Sequence, residues 1–181
     1  VLNCSDNELT ILDVSSNTAL TELYCYMNQL TSLDVSSNTA LTDLQCSDNQ
    51  LTSLDVSNNT ALTFLWINNN QFTYLNMKNG VTDALTTFYA TNNSLTCIEV
   101  NAEDIDYATE NWTYENGNID EGVTFQEIGC QTINIPADYS TIQAGIDAAY
   151  EGATVLVAAG TYVENILWPG NTNGIKLIGE D

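Results

Sequence analysis

The 181-residue chain contains two lysines, no arginine and no histidine against 24 carboxylates, which gives a formal net charge of −22. Nucleic acids and anionic membrane surfaces are therefore excluded as expected partners, because binding to phosphates requires cationic side chains. The lack of histidine removes the usual general base and the commonest transition-metal ligand, and no apolar run approaches the ~18 residues of a membrane span.

A 21-residue repeat organises residues 1–100. Segment 20–61 contains two nearly identical copies, LTELYCYMNQLTSLDVSSNTA and LTDLQCSDNQLTSLDVSNNTA. Each copy joins a ten-residue unit to an eleven-residue unit, and both units keep the frame L-T-x-L-x-(C or V)-x-x-N. This period is typical of a solenoid, in which no repeat can bury its apolar face alone. Because Val1 aligns with Glu22, the chain opens within a repeat, and we expect it to be part of a longer, exported protein.

Five copies of the double unit can be aligned, and each predicts two short strands. The first units centre on residues 2–4, 23–25, 44–46, 65–67 and 88–90, and the second units on residues 12–14, 33–35, 54–56, 75–77 and 98–100. In most of these triplets the outer residues are apolar and the middle residue is variable, which indicates a strand with one buried face. We therefore expect the first units to form one wall of parallel strands and the second units an opposite wall.

The frame L-x-x-L-x-L-x-x-N resembles the leucine-rich repeat. The alternation of ten- and eleven-residue units is similar to the short, strand-only bacterial subclass called IRREKO. The resemblance implies that the repeat asparagine turns inward and bonds to the backbone of the turns, whose orphan groups a stacked amide can satisfy at every level. The matching positions are Asn7, Asn28, Asn49, Asn70 and Asn93, with Asn17, Asn38 and Asn59 on the other side.

The repeat pattern weakens after the fourth copy. The segment NMKNGVTDA is two residues longer than its equivalents, and Gly80 permits a backbone excursion there. We expect a bulged loop at this point. Residues 101–131 lose the pattern altogether and are acidic and rich in aromatic residues, so we interpret them as a cap over the last apolar layer.

Two of the five cysteines are predicted to form a disulfide. Cys97 occupies a variable outward position, and Cys130 closes the capping segment. A Cys97–Cys130 bond would pin the cap to the last repeat and indicate an oxidising, extracellular or cell-surface location. The order LTCIEV, NWT and a closing cysteine also resembles the end of secreted bacterial repeat proteins.

The other three cysteines recur at 21-residue intervals at an inward strand position. They are Cys4, Cys25 and Cys46, and the next two copies place Ile67 and Ala90 there. Replacement by apolar residues indicates that these thiols are small buried hydrophobes. A column of reactive thiols or metal ligands is the alternative.

Residues 132–181 have a different pattern, beginning INIPADYSTIQAGIDAAYEGATVLVAAGTY. Ser140 is expected to cap a helix over residues 141–150 that Gly152 ends, and strands are expected over residues 154–158, 162–166 and 175–178. This order resembles the opening of right-handed parallel β-helix proteins of the pectin-lyase-like class. In those enzymes catalysis lies further along the β-helix, so we expect this chain itself not to be an enzyme.

The predicted fold is therefore mainly β. It comprises a leucine-rich-repeat β-solenoid over residues 1–100, a disulfide-pinned cap over residues 101–131, and a short helix with the first coils of a right-handed β-helix over residues 132–181.

Aromatic side chains at outward positions of the first wall are the candidate ligand-binding residues. They are Tyr24, Tyr26, Phe64, Trp66 and Tyr89. Rings outside the core can stack on sugars or anchor a protein partner. The alternative is that these rings only cover the surface of the strands.

The second wall carries a column of acids at equivalent positions. Asp13, Asp34 and Asp55 are followed there by Asn76 and Glu99. Stacked carboxylates repel, and Ca²⁺ would relieve the repulsion. Alternatively, the flanking serines donate hydrogen bonds and water screens the charge. Apart from this calcium hypothesis, no cofactor is expected.

Three functions are consistent with these features. The first is a non-catalytic extracellular recognition or adhesion module of a bacterial surface or secreted protein, which binds protein or polysaccharide. The second is an accessory region of a carbohydrate-active enzyme whose catalytic β-helix lies further along the chain. The third is a structural protein that self-associates head-to-tail into filaments.

Overall fold

A computed structural model describes residues 1–149, 152–168 and 174–179, and the chain divides into two compact units, Val1–Glu127 and Ile128–Asp181. In chain order the elements are β1 (Leu2–Asn3), β2 (Glu22–Tyr24), β3 (Asp43–Gln45), β4 (Ser53–Asp55), β5 (Phe64–Trp66), β6 (Tyr74–Asn76), β7 (Thr87–Tyr89), β8 (Cys97–Glu99), α1 (Ile105–Asn111), β9 (Thr124–Gln126), β10 (Thr132–Ile135), α2 (Ile142–Asp147), β11 (Thr154–Val157) and β12 (Lys176–Gly179). Short 3₁₀ turns cover Thr82–Ala84 and Ala102–Asp104. The protein is therefore mainly β, with parallel sheets and few helices.

The first wall forms the predicted parallel sheet. Its strand order is β1-β2-β3-β5-β7, so each repeat adds one strand beside the strand of the repeat before it. Leu23 pairs with Leu44 and Leu44 with Leu65, 21 residues apart at each step. All three leucines are completely buried, which places the alternating pattern of the sequence in the expected register.

The second wall is a strand sheet only in its later repeats. Its order is β4-β6-β8-β9, and the strands predicted at residues 12–14 and 33–35 are absent. Val14 and Val35 are nonetheless buried in the core of the unit, as the pattern predicts. The prediction was wrong because alternating polarity indicates which side chains are buried, whereas a strand also requires hydrogen bonds to a neighbour.

Six of the eight repeat asparagines turn inward and bond to backbone groups of the turns, as predicted, whereas Asn7 and Asn17 of the first copy are exposed. Asn49 is representative: its Nδ2 donates to the carbonyl oxygens of Cys46 and Ser47 in its own repeat and of Cys25 in the repeat before. Its Oδ1 accepts a hydrogen bond from the backbone N–H of Leu30 at 3.0 Å. Asn28, Asn70 and Asn93 have the same kinds of partners. On the other side of the repeats, Asn38 and Asn59 each donate to two carbonyl oxygens of the preceding repeat.

The two-residue insertion is anchored to the fold. Gly80 has a φ of +70°, and the following 3₁₀ turn contains a buried threonine, Thr82. Its hydroxyl donates to the carboxylate of Asp104 at 2.9 Å. The strands on either side stay paired, with Phe64 now opposite Thr87 at a spacing of 23 residues. The insertion thus alters a connection and leaves the sheet register intact.

The capping segment closes the core and also extends the second sheet. Trp112 lies against Phe88 with ring centroids 4.4 Å apart and against Phe125 at 5.8 Å. Strand β9 pairs in parallel with β8, and Ile98 is opposite Phe125. We expected the repeat pattern to end at residue 101. It continues by one more strand, β9. This strand was not evident in the sequence because α1 and its flanking loops lengthen the spacing between paired residues from 21 to 27. The predicted disulfide between Cys97 and Cys130 is present.

The unit that begins at Ile128 contains a three-stranded parallel sheet, β10-β11-β12. Each residue of β10 pairs with the residue 22 positions further on in β11, and the same spacing relates β11 to β12. Ile146 of α2 belongs to the same core as Ile133 and Val155.

Two details of this unit were predicted wrongly. The N-cap of α2 is Thr141 rather than Ser140, and its side chain accepts a hydrogen bond from the N–H of Ala144. The helix ends at Asp147, and the predicted end at residue 150 lies outside the described residues. Residues 162–166 form no strand. Glu164 lies in this segment, and its carboxylate accepts hydrogen bonds from the N–H groups of Ile142 and Gln143 at the start of α2.

Candidate functional site

The outward face of the first sheet is built from rows of equivalent residues that cross the strands. One row contains Glu22, Asp43, Phe64 and Thr87, and the next contains Asn3, Tyr24, Gln45, Trp66 and Tyr89. Between these rows lie the buried leucines. Cys25 and Cys46 are completely buried, whereas Trp66 is 40% exposed. The structure therefore confirms which residues of the first-wall triplets face outward, whereas Asn76 and Glu99, predicted to face outward in the second wall, are buried.

Three of the five candidate rings lie together on this sheet, and we call Phe64, Trp66 and Tyr89 the aromatic face. The rings of Phe64 and Trp66 have centroids 6.3 Å apart, and those of Trp66 and Tyr89 are 6.1 Å apart. Trp66 and Tyr89 are 40% and 41% exposed. They share a shallow depression of about 230 Å³ with Asn68 and Thr91. These two polar residues lie two positions after Trp66 and Tyr89, just beyond the ends of β5 and β7, and the same periodicity places them on the outward side.

The remaining two candidate rings occupy other surroundings. The Tyr24 hydroxyl donates to Glu22 Oε2 at 2.8 Å and lies 3.4 Å from Asp43 Oδ2. The hydrogen bond to Glu22 is the largest of the effects that raise the pKa of Tyr24 to about 12. Gln45 separates Tyr24 from Trp66 in their row, and Tyr26 is half-buried. The five rings therefore do not form one continuous surface.

The pKa of Asp43 is raised from its ordinary value. Partial burial is the main cause, and the neighbouring charge of Glu22 acts in the same direction. Hydrogen bonds from Gln45 and Tyr24 oppose the shift. The protonated carboxyl is thus favoured by the fold, and the contribution of Asp43 to stability falls as the pH rises through its titration range.

We expect Asp43→Asn to raise the free energy of unfolding at neutral pH by less than about 1 kcal/mol, because it removes a partly buried charge next to Glu22. The gain should vanish below pH 3.8, the ordinary pKa of aspartate, where the carboxyl becomes protonated in both states. Urea unfolding of both proteins at pH 7 and in acid measures the difference. The exposed Asp83, replaced by asparagine, is the control. A variant less stable than the parent at neutral pH would contradict the argument.

The acid column of the second wall is held by local hydrogen bonds. The carboxylates of Asp13, Asp34 and Asp55 accept hydrogen bonds from the backbone N–H two residues on, at Ser15, Ser36 and Ser57, with distances of 2.8–2.9 Å. Bonds from the serine side chains, followed by those from the backbone, hold the pKa of Asp13 and of Asp34 below the usual value. In the part of the chain that the structure describes, no three His, Cys, Asp or Glu residues are arranged to hold a metal ion.

The last acid of this column has an environment that the sequence analysis missed. Glu99 is buried, and its Oε2 accepts a hydrogen bond from the Tyr74 hydroxyl at 3.0 Å and contacts Lys78 Nζ at 3.1 Å. Lys78 is one of only two lysines in the chain, and it lies two residues after Asn76, which pairs with Glu99. The scarcity of lysine in the sequence was the feature that could have drawn attention to this ion pair.

The cysteine column lies in the core. Burial raises the pKa of Cys25 to about 12 and that of Cys46 well above its ordinary value. Thiols with such pKa values carry almost no thiolate at neutral pH, so they are poor nucleophiles and metal ligands. Their side chains therefore act as apolar packing groups.

Comparisons with known proteins agree with the repeat architecture. A family profile of the LVIVD repeat matches residues 4–28 and 46–69, less than half of the chain. The functional domain of InlJ from Listeria monocytogenes, which includes a cysteine ladder, is similar in structure, with a TM-score of 0.51 and 23% sequence identity. The similarity covers 90% of this chain and 46% of that chain, so this chain spans about half its length. No curated protein matches significantly.

Among the described residues, no helix has the length and apolar character needed to cross a bilayer.

The column of Cys4, Cys25 and Cys46 recurs at the same interval as the repeats themselves. Taken with the parallel sheets, the structural similarity shows that this chain and the InlJ domain share a repeat fold.

Proposed function

We propose that the chain is a non-catalytic extracellular recognition module of a bacterial surface or secreted protein, and that it contacts its ligand through the aromatic face. The exposure of Trp66 and Tyr89 side by side on adjacent strands carries this proposal. Large rings that a fold leaves uncovered are the commonest anchors of binding surfaces.

The structural setting of these rings supports recognition. The backbone N–H of Ile67 donates to the Tyr89 carbonyl at 2.8 Å, and the N–H of Cys46 donates to the Trp66 carbonyl at 3.0 Å. Because both rings sit on hydrogen-bonded strands, binding requires little ordering of the backbone. The Cys97–Cys130 disulfide supports an oxidising, extracellular location.

The finer family assignment belongs to the same proposal. The 21-residue register and the inward asparagines support a leucine-rich repeat of the short alternating subclass. The 22-residue register of β10, β11 and β12 supports the first coils of a right-handed β-helix. It also favours a second candidate function, an accessory region of a carbohydrate-active enzyme whose catalytic part follows.

We expect Trp66→Ala to abolish or strongly weaken ligand binding while the fold is kept, because the ring is exposed and its backbone bonds do not depend on the side chain. An array of glycans and extracellular proteins, probed with and without calcium, would identify ligands of the parent chain. The variant would then be measured on the same array.

Trp168→Ala is the matched control, since Trp168 is 51% exposed on the other unit of the chain. Circular dichroism would verify that both variants are folded. Mass spectrometry of bound glycans tests the absence of catalysis, and cleavage products would contradict it. Ligands that bind equally to the parent chain and to Trp66→Ala would exclude the aromatic face as the contact surface.

A further inference from the structure

We propose that the aromatic face binds a single chain of a neutral glycan. This inference rests on the proposed function, because it takes the same face as the contact surface and names the chemical class of the ligand. Four observations support the assignment: the charge around the face, the composition of the depression, the small apolar area and the angles between the rings.

The charge around the face favours an uncharged ligand. The chain contains two lysines, of which Lys78 contacts Glu99 and Lys176 lies on β12 of the other unit. No cation is therefore available on the first sheet for the sulfates or carboxylates of an anionic polymer. The neighbouring row adds Glu22 and Asp43, which would repel such a polymer further.

The depression between the rings is suited to a sugar. Its volume of about 230 Å³ is smaller than the ~300–1,000 Å³ of sites that enclose a drug-sized ligand. It can therefore accommodate one ring of a longer molecule. Trp66 and Tyr89 supply apolar faces, and Asn68 and Thr91 supply an amide and a hydroxyl. A sugar ring needs this combination, because its C–H faces are apolar and its edges carry hydroxyl groups.

Asn68 adds a polar side chain to the lining of the depression. Its Oδ1 is buried and has no hydrogen-bond partner among the described residues. Buried acceptors are almost always paired in native proteins, so an unpaired acceptor beside a surface depression requires an explanation. The buried Oδ1 atoms of Asn38 and Asn59 inside the repeats are unpaired in the same way, so Asn68 supports the assignment as a polar residue beside the rings rather than through its unpaired oxygen.

The polar surroundings make a protein partner less suitable. Stable protein interfaces bury ~800 Å² on each side around an apolar, desolvated centre. The neighbours of Trp66 on the outward face include Gln45, Asn68 and Thr87, so the apolar area is confined to the three rings. Three rings are a small apolar area for a protein footprint.

The angles between the rings favour a single chain over a crystalline surface. Phe64 and Trp66 are inclined at 53°, and Trp66 and Tyr89 at 59°. The three rings thus share no plane, and a flat polymer surface could lie against only one of them at a time. A chain that twists along its length can present successive sugar faces to successive rings.

The test is a titration of the whole chain with neutral hexasaccharides, namely cellohexaose, xylohexaose, chitohexaose and maltohexaose, beside an oligogalacturonate of equal length. Calorimetry would measure affinity. We expect at least one neutral oligomer to bind, with roughly tenfold or greater weakening in Trp66→Ala and in Tyr89→Ala. Trp66→Phe should retain part of the affinity, and Trp168→Ala should retain all of it. Microcrystalline cellulose and chitin should not retain the protein.

Several results would overturn the inference. These are no binding of any neutral oligomer, stronger binding of the oligogalacturonate, retention on the crystalline polymers, or binding indifferent to Trp66→Ala. If a protein on the array binds in a Trp66-dependent manner while no glycan does, the recognition function stands and the glycan assignment falls. If neither class of ligand depends on Trp66, both proposals fall.

Discussion

Replacing Trp112 with alanine is expected to lower the free energy of unfolding by about 3–5 kcal/mol, the usual cost of removing a buried large aromatic ring. Trp112 is only 4% exposed, and it contacts the ring of Phe88 in the last first-wall strand and that of Phe125 in the cap. Its removal would leave a cavity where the capping segment meets the repeats. Urea unfolding followed by far-ultraviolet circular dichroism measures the loss.

Tyr114→Ala is the matched control for this prediction. Tyr114 belongs to the same segment, yet its ring is 57% exposed, so its removal should change stability by no more than about 0.5 kcal/mol. Similar losses in the two variants would mean that the capping segment contributes through general apolar character rather than through the contact of Trp112 with Phe88.

Asn49→Ala should cost about 1–3 kcal/mol, because a buried polar group that loses its partner pays its full desolvation penalty. The substitution leaves the N–H of Leu30 without its amide acceptor, whereas the carbonyls of Cys25 and Cys46 keep the amides of Asn28 and Asn70 as donors. All of these groups lie in the middle of the repeats, where water cannot replace the amide. Thermal and urea unfolding would both report the change.

Asn7→Ala tests whether burial determines that cost. Asn7 occupies the equivalent position of the first repeat, where it is exposed and donates to the carbonyls of Cys4 and Ser5. Water can satisfy both carbonyls there, so we expect a loss below about 1 kcal/mol. A loss at Asn7 equal to that at Asn49 would refute the role assigned to the stacked amides.

The regular part of the fold could be predicted from the sequence because one period controls it. An apolar side chain at each inward position fixes the register, and Leu23, Leu44 and Leu65 accordingly pair across the first sheet. The same pattern could not show that residues 12–14 and 33–35 form no strand. Alternating polarity indicates which side chains are buried, but it does not show whether the backbone forms hydrogen bonds to a neighbouring strand. Strand β9 was missed because its spacing from β8 differs from the period.

The candidate site was predictable to a similar degree. The outward position of Trp66 follows from the buried positions of Leu65 and Ile67. The sequence could not show that Tyr24 is engaged by Glu22 and Asp43, since this depends on the reach of side chains across neighbouring strands. Nor could it single out Asn68, whose unpaired oxygen becomes apparent only once every neighbouring donor has been located.

The side-chain amides of the repeat asparagines Asn28, Asn49 and Asn70 all donate hydrogen bonds toward the preceding repeat. Each donates within its own repeat and to the repeat before it, and the carbonyl it reaches in the preceding repeat lies 24 residues earlier for Asn28, Asn49 and Asn70. Removing or duplicating one complete repeat would therefore leave every remaining asparagine opposite an equivalent carbonyl. Genetic recombination between such similar coding segments can then alter the copy number without disturbing the bonding, so the length of the outward sheet becomes a variable on which natural selection can act.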